Sequence, residues 1–161
     1  MTGDEEVPGY LATDVAALLT PIASGEVLAA ICALNGSKCD VIEVPQGTFA
    51  VMVDSSPGRA DQAATAVSSI QRDIVMVTAE RHDGQVTVRR WAKGVKGEEI
   101  APGLALDQAP EIVRNIMLGA ITMDEIATTN PDMVFPGRMG RVKAFRILRK
   151  LSSRARRDES R

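Results

Sequence analysis

The chain has 161 residues, which is enough for one domain with its own core and an appendage. Hydrophobic residues make up 45% of it and aromatic residues only 3%, so we expect a core of Val, Ile, Leu, Ala and Met. No apolar run approaches the roughly 18–20 residues that span a bilayer, and the acidic start MTGDEEVPGY lacks the features of a secretory signal. We therefore expect a cytoplasmic protein with no transmembrane segment.

Charge is distributed very unevenly along the chain. Residues 138–161 carry ten basic and two acidic side chains, a net charge of +8. Residues 1–137 carry nine basic and nineteen acidic side chains, a net charge of −10. The total charge of −2 hides this polarity, which is the strongest functional signal in the sequence.

The start of the chain predicts a flexible segment followed by two helices. Residues 1–12 are acidic and contain Pro-Gly, so we predict a flexible N-terminus before an α+β domain at residues 13–128. A short helix is predicted over residues 13–19, where apolar residues predominate. A second helix is predicted to begin at Thr20, or later with Ser24 as its cap, and to end at an Asn-Gly pair.

The middle of the domain has the patterns of strands. Residues 40–44 alternate acidic and apolar side chains, and residues 48–53 are nearly all apolar, so both are predicted strands. A helix is predicted over residues 59–71. Residues 73–81 and 85–92 form the clearest hairpin, because an Asp-Gly pair between them tolerates the positive φ angles of a tight reversal.

The end of the domain is predicted to be irregular and then helical. Residues 94–106 show no regular pattern. A helix is predicted over residues 110–118, and Thr122 with Glu125 forms a capping box that begins a shorter helix. Residues 129–140 contain Asn-Pro, Pro-Gly and Met-Gly, so we predict a Pro/Gly linker there.

These elements define the predicted fold class. Their order, αββαββα, predicts an α+β fold of two layers, in which helices back one face of an antiparallel four-stranded sheet made of two hairpins. A basic C-terminal helix follows this domain.

This basic helix is predicted over residues 141–157, before a short tail at 158–161. At 100° per residue, Ala144, Ile147, Leu148 and Leu151 fall on one arc. Most cations cluster away from that arc, although Arg141 falls inside it and the separation is imperfect. We predict that the cations of the helix bind a partner: Arg141, Lys143, Arg146, Arg149, Lys150, Arg154, Arg156 and Arg157.

Four targets are compatible with such a helix. Its cations neutralise phosphates, so nucleic acid is the first expectation. An anionic membrane surface and an acidic partner protein are the second and third. The fourth is its own domain, whose negative charge attracts the helix while the apolar arc packs on the core. We therefore predict a non-catalytic cytosolic adaptor or regulatory binding module.

Other residues give weaker signals. A secondary basic group surrounds the single tryptophan: Arg89, Arg90, Trp91, Lys93 and Lys96. Trp91 is a candidate for stacking on a base or ligand, but the favoured interpretation is that it caps the apolar core at a strand end. His82 is the only histidine and is interpreted as a turn residue, while Cys32 and Cys39 are interpreted as thiols without a disulfide. No cofactor, metal site or phosphate-binding loop is expected.

Two other classes of function stay open. A small enzyme would use carboxylates such as Glu98 or Glu99, on the loop over residues 94–106, inside a concave pocket. An assembly protein would form a homodimer by pairing an exposed edge of the hairpin over residues 73–92.

Overall fold

The structure, a computed structural model, describes residues 14–159, with side chains as far as Leu151. The predicted flexible N-terminus and the last two residues of the tail lie outside the described residues. The strands are β1 (Val15–Thr20), β2 (Cys39–Val44), β3 (Gly47–Met52), β4 (Val75–His82), β5 (Gln85–Ala92), β6 (Val95–Ile100) and β7 (Val134–Pro136). The helices are α1 (Gly25–Leu34), α2 (Arg59–Ile70), α3 (Pro102–Gln108), α4 (Glu111–Met117), α5 (Met123–Thr129) and α6 (Arg141–Glu159).

The prediction of a two-layer, four-stranded sheet is wrong. Within residues 14–159 the chain forms one seven-stranded sheet in the order β6-β5-β4-β1-β3-β2-β7, and each neighbouring pair is antiparallel. Helices α1 and α2 pack into one core cluster, and α4 and α5 pack into a second cluster. The sheet therefore has helices on both faces, although the fold is still mixed α and β.

The predicted helix over residues 13–19 is wrong, because this stretch forms the central strand β1. Val15 and Ala17 belong to one core cluster, whereas Ala16 and Leu18 belong to the other. A strand that is buried on both faces needs apolar side chains at every position, so the alternation that identifies a half-buried strand disappears.

The second helix begins at the later of its two predicted starts. Ser24 caps α1, and its side chain accepts a hydrogen bond from the backbone N–H of Val27 at 3.3 Å. Thr20 instead ends β1, where its hydroxyl oxygen lies 2.7 Å from that of Thr48. The capping box of Thr122 and Glu125 is also present, at the start of α5.

The hairpin of β4 and β5 is confirmed, but a second reversal was missed. Asp83 and Gly84 have φ angles of 52° and 78°, as the Asp-Gly pair predicted. Lys93 and Gly94 repeat this geometry with φ angles of 53° and 76°, so the chain turns back into β6. The prediction of irregular structure over residues 94–106 is therefore wrong. The turn could not be predicted because lysine is uncommon at positive φ, so Lys93 gave no turn signal.

Residues 129–140, predicted as a linker, contain a 3₁₀ turn at Pro131–Met133 and the short strand β7. This strand pairs with β2 and so forms one edge of the sheet. Arg138 follows it and forms an ion pair with Asp40 at 3.1 Å. The start of α6 is therefore held against the sheet.

We predict that Gly47→Ala strongly destabilises the fold. Gly47 has a φ angle of +143°, and an added Cβ would lie only 2.0 Å from the carbonyl oxygen of Thr20. Backbone strain together with this clash is expected to lower the free energy of unfolding by about 3 kcal/mol or more, measured by urea denaturation. Gly103→Ala is the control, because no atom lies near its added Cβ, and it should change stability by less than about 1 kcal/mol. Equal losses in the two variants would contradict this account.

Candidate functional site

Helix α6 packs on helix α1 of its own domain. Ala144 is 0% exposed and joins Ala30 and Ala33 in one buried cluster, with Ile147 and Leu148 packed against it. Alanines leave room for two helix backbones to approach closely. The apolar arc predicted from the sequence is therefore occupied by α1 over most of its length.

The rest of α6 presents positive charge to solvent. Arg141, Lys143, Arg146, Arg149 and Lys150 are all exposed, and we call them the basic set. Among residues 14–151, whose side chains are described, no ion pair involves a member of this set. The structure therefore leaves the positive charge of this helix without neutralising partners in the described part of the chain.

Two apolar side chains lie among these cations. Val142 is 73% exposed and Phe145 is 58% exposed, and neither contributes to the packing on α1. Beyond Leu151 the structure describes the backbone of α6 but not its side chains, and this part of the helix contains Arg154, Arg156 and Arg157. Their role in binding stays a prediction.

A cleft of about 430 Å³ lies between the two helices at the start of α1. The helices run antiparallel, since Arg141 approaches Gly36 just past the end of α1, whereas Leu151 lies beside Ser24 at its start. Residues from both helices line this cleft: Ser24, Glu26, Val27, Lys143, Arg146, Ile147, Lys150 and Leu151. We call it the α1–α6 cleft.

The positive charge of the α1–α6 cleft comes from side chains of α6. At the start of α1, the backbone N–H of Gly25 donates to a carboxylate oxygen of Glu43 at 2.8 Å. The N–H of Val27 donates to Ser24, so two N–H groups of the first turn already have partners. The positive charge in the cleft therefore comes from the three cations that line it, Lys143, Arg146 and Lys150.

The structure does not bring the secondary basic group to this site. Trp91 is only 5% exposed and belongs to the core, so its ring is not available for stacking on a base. Arg89 pairs with Glu99 at 2.9 Å, and Lys96 pairs with Asp61 at 2.8 Å. Strand β5 is four strands from β2, the strand that α1 contacts, and four strand spacings amount to about 19 Å across the sheet. Arg90 and Lys93 are exposed there.

His82 and the cysteines occupy other parts of the fold. His82 ends β4, with its Nδ1 3.3 Å from Asp14 and its Nε2 3.4 Å from Glu80. Both cysteines are free and buried, and the hydrogen bond between Cys39 and Cys32 together with burial raises the pKa of the Cys39 thiol well above its ordinary value. Among residues 14–151, whose side chains are described, no cluster of three or more His, Cys, Asp or Glu could hold a metal. No helix in this part of the chain is long and apolar enough to cross a membrane.

The carboxylates considered for catalysis are poorly placed for it. Glu98 and Glu99 are exposed on β6, the edge strand, and not on an irregular loop. Adjacent residues of a strand point to opposite faces, so these two carboxylates do not face each other across one cleft.

The hairpin of β4 and β5, considered above for a homodimer, has no free edge, because β1 and β6 pair with its outer sides.

Sequence reasoning missed the contribution of α1 to the cleft. Ser24 was considered only as a helix cap, and Glu26 and Val27 were not singled out. More than 100 residues separate them from α6, and a residue's contacts across a helix interface depend on the packing of the whole domain. No local pattern in α1 marks these side chains.

No model of a protein family matches this chain, and no curated protein or solved structure is similar to it at a significant level. Its function is therefore argued from geometry and charge.

We predict that Ala144→Glu releases α6 from α1. A carboxylate at this fully buried contact would have to lose its hydration without a cation to pair with, so the docked helix is destabilised. Hydrogen exchange of the amides over residues 145–151 should become about tenfold faster or more, while exchange in β1 is unchanged. Val142→Glu is the control, because that side chain is exposed on the same helix. Unchanged exchange in the Ala144 variant would show that the contact does not hold the helix.

Proposed function

We propose that this chain is a non-catalytic binding module whose helix α6 binds an acidic partner, and that this partner is nucleic acid. The observation that carries the proposal is the exposure of all five cations of the basic set, with no ion pair to the described residues. A cation that is already paired must give up its partner to bind another, and none of these five has such a partner among residues 14–151.

The spacing of the cations suits a phosphate backbone. Arg146 and Lys150 are one helical turn apart, so their Cα atoms are separated by about 6 Å along the axis. Each phosphate that they neutralise releases condensed counterions, which favours binding at low salt. Trp91 is buried and Phe145 is the one aromatic residue of α6, so we expect little reading of bases. Binding should thus be salt-sensitive and nearly independent of sequence.

The acidic remainder of the protein would orient a bound polyanion toward α6. Residues 1–137 have a net charge of −10, so a polyanion repels most of the domain and attracts α6. Because α6 is packed on α1, its cations are presented on a helix that the domain holds in place. A cytoplasmic location belongs to this proposal, and two buried cysteines without a disulfide support it.

We predict that the variant Arg146→Glu/Arg149→Glu/Lys150→Glu loses nucleic-acid binding. Affinity for a duplex DNA of about 20 base pairs should fall at least about tenfold at 0.1 M salt, measured by fluorescence anisotropy. If all three residues contact phosphates, the slope of log affinity against log salt should decrease in magnitude by about 2.7.

The matched control is Lys38→Glu/Arg72→Glu/Arg90→Glu, which changes the net charge equally at exposed sites outside α6. It should retain most of the affinity, and circular dichroism should confirm that both variants are folded. An equal loss in the control would show that only net charge matters. Unchanged binding by the α6 variant, or no DNA binding by the parent protein, would refute the proposal.

A further inference from the structure

The α1–α6 cleft has an apolar floor that the binding of phosphates does not use. Ala144 meets Ala30 and Ala33 in a buried contact between the helices, and the cleft lies beyond this contact, toward the start of α1. Val27 and Ile147 are half-buried there, and Leu151 is 38% exposed. Apolar side chains in a groove between two helices are the usual receptor for the apolar face of a third helix.

Three cations line the α6 side of this cleft. Lys143, Arg146 and Lys150 follow one another at intervals of three and four residues, so they span about 10.5 Å along α6. Glu26 belongs to the α1 side of the cleft. An occupant is therefore favoured if it carries carboxylates on the side that faces α6 and apolar side chains beside them.

We propose that the α1–α6 cleft binds an acidic amphipathic helix of a partner protein. Carboxylates at positions i, i+3 or i+4, and i+7 of that helix would match the spacing of the three cations. Leucine or isoleucine side chains beside the carboxylates would cover Val27, Ile147 and Leu151. Lys143, Arg146 and Lys150 also belong to the basic set that we propose for nucleic acid, whereas the apolar side chains belong to this surface alone. The inference does not depend on the nucleic-acid proposal.

Shape and lining favour a helix over the other anionic partners. A phosphate backbone offers no apolar groups for the floor of the cleft. A bilayer surface would meet the convex outer side of α6, where Val142 and Phe145 are exposed, before it reached a concave cleft. A helix with mixed acidic and apolar side chains satisfies both the charge and the apolar floor.

The test uses the full chain and a synthetic probe. The probe is a fluorescein-labelled 18-residue peptide of Glu, Leu and Ala, with Glu and Leu on adjacent stripes at helical spacing. A second peptide of the same composition has a scrambled order, which keeps the charge but removes the stripes. We expect the striped peptide to bind at least tenfold more tightly than the scrambled one at 0.15 M salt.

The variant Val27→Ser/Leu151→Ser removes apolar floor without changing charge. It should weaken binding of the striped peptide at least tenfold and leave DNA binding within twofold of the parent. The matched control Val142→Ser/Phe145→Ser removes exposed apolar groups from the outer side of α6 and should bind the striped peptide normally. Thermal unfolding verifies that both variants retain the fold.

Three outcomes would overturn the inference. Equal binding of the two peptides would mean that charge alone attracts them. Equal weakening by both serine variants would place the contact outside the cleft. Binding of vesicles of phosphatidylglycerol and phosphatidylcholine that depends on Val27 and Leu151, without peptide binding, would make the cleft a lipid site. A failure to bind DNA would refute only the function proposed above, because the peptide titration contains no nucleic acid.

Discussion

The close contact between Ala144 and the alanines of α1 determines what the basic helix presents to a partner. Because three side chains at the crossing are methyl groups, the helices approach closely there, and the apolar arc of α6 is covered. The cations on the remaining arc are then exposed on a docked helix. The same contact defines one end of the α1–α6 cleft, so both proposed binding surfaces depend on it.

The position of α6 depends in turn on the short strand β7. Its pairing with β2 places Phe135 against Gly25 so closely that an added Cβ at Gly25 would lie 2.4 Å from the ring. Gly137 then donates its N–H to the carbonyl oxygen of Cys39, and Arg138 pairs with Asp40. These contacts fix where the chain leaves the sheet edge and enters α6. The packing of α6 is thus a property of the whole sheet, including its last strand.

The parts of the fold that could be predicted are those whose signals are local. The Asp83-Gly84 reversal and the capping box at Thr122 each depend on two to four adjacent residues, and both are present. Strand β1 could not be identified because burial on both faces removes alternation from its sequence. Strand β6 was missed because Lys93 adopts a positive φ that its residue type does not suggest. Helix α6 and its cations could be predicted, but the cleft could not, since only the packing of the domain brings Val27 and Leu151 to the same cleft.

The two proposed surfaces are physically coupled because they share Lys143, Arg146 and Lys150. All three cations line the α1–α6 cleft and also belong to the exposed basic set. A carboxylate bound to any of them reduces the positive charge that a phosphate encounters, and the reverse also holds. Binding of an acidic helix and of nucleic acid should therefore be mutually unfavourable, with the same coupling free energy in each direction. Arg141 and Arg149 do not line the cleft, so their contributions to nucleic-acid binding should be least affected by an occupied cleft. On this view, the acidic helix would compete with nucleic acid and lower the affinity of α6 for it, while the fold stays unchanged.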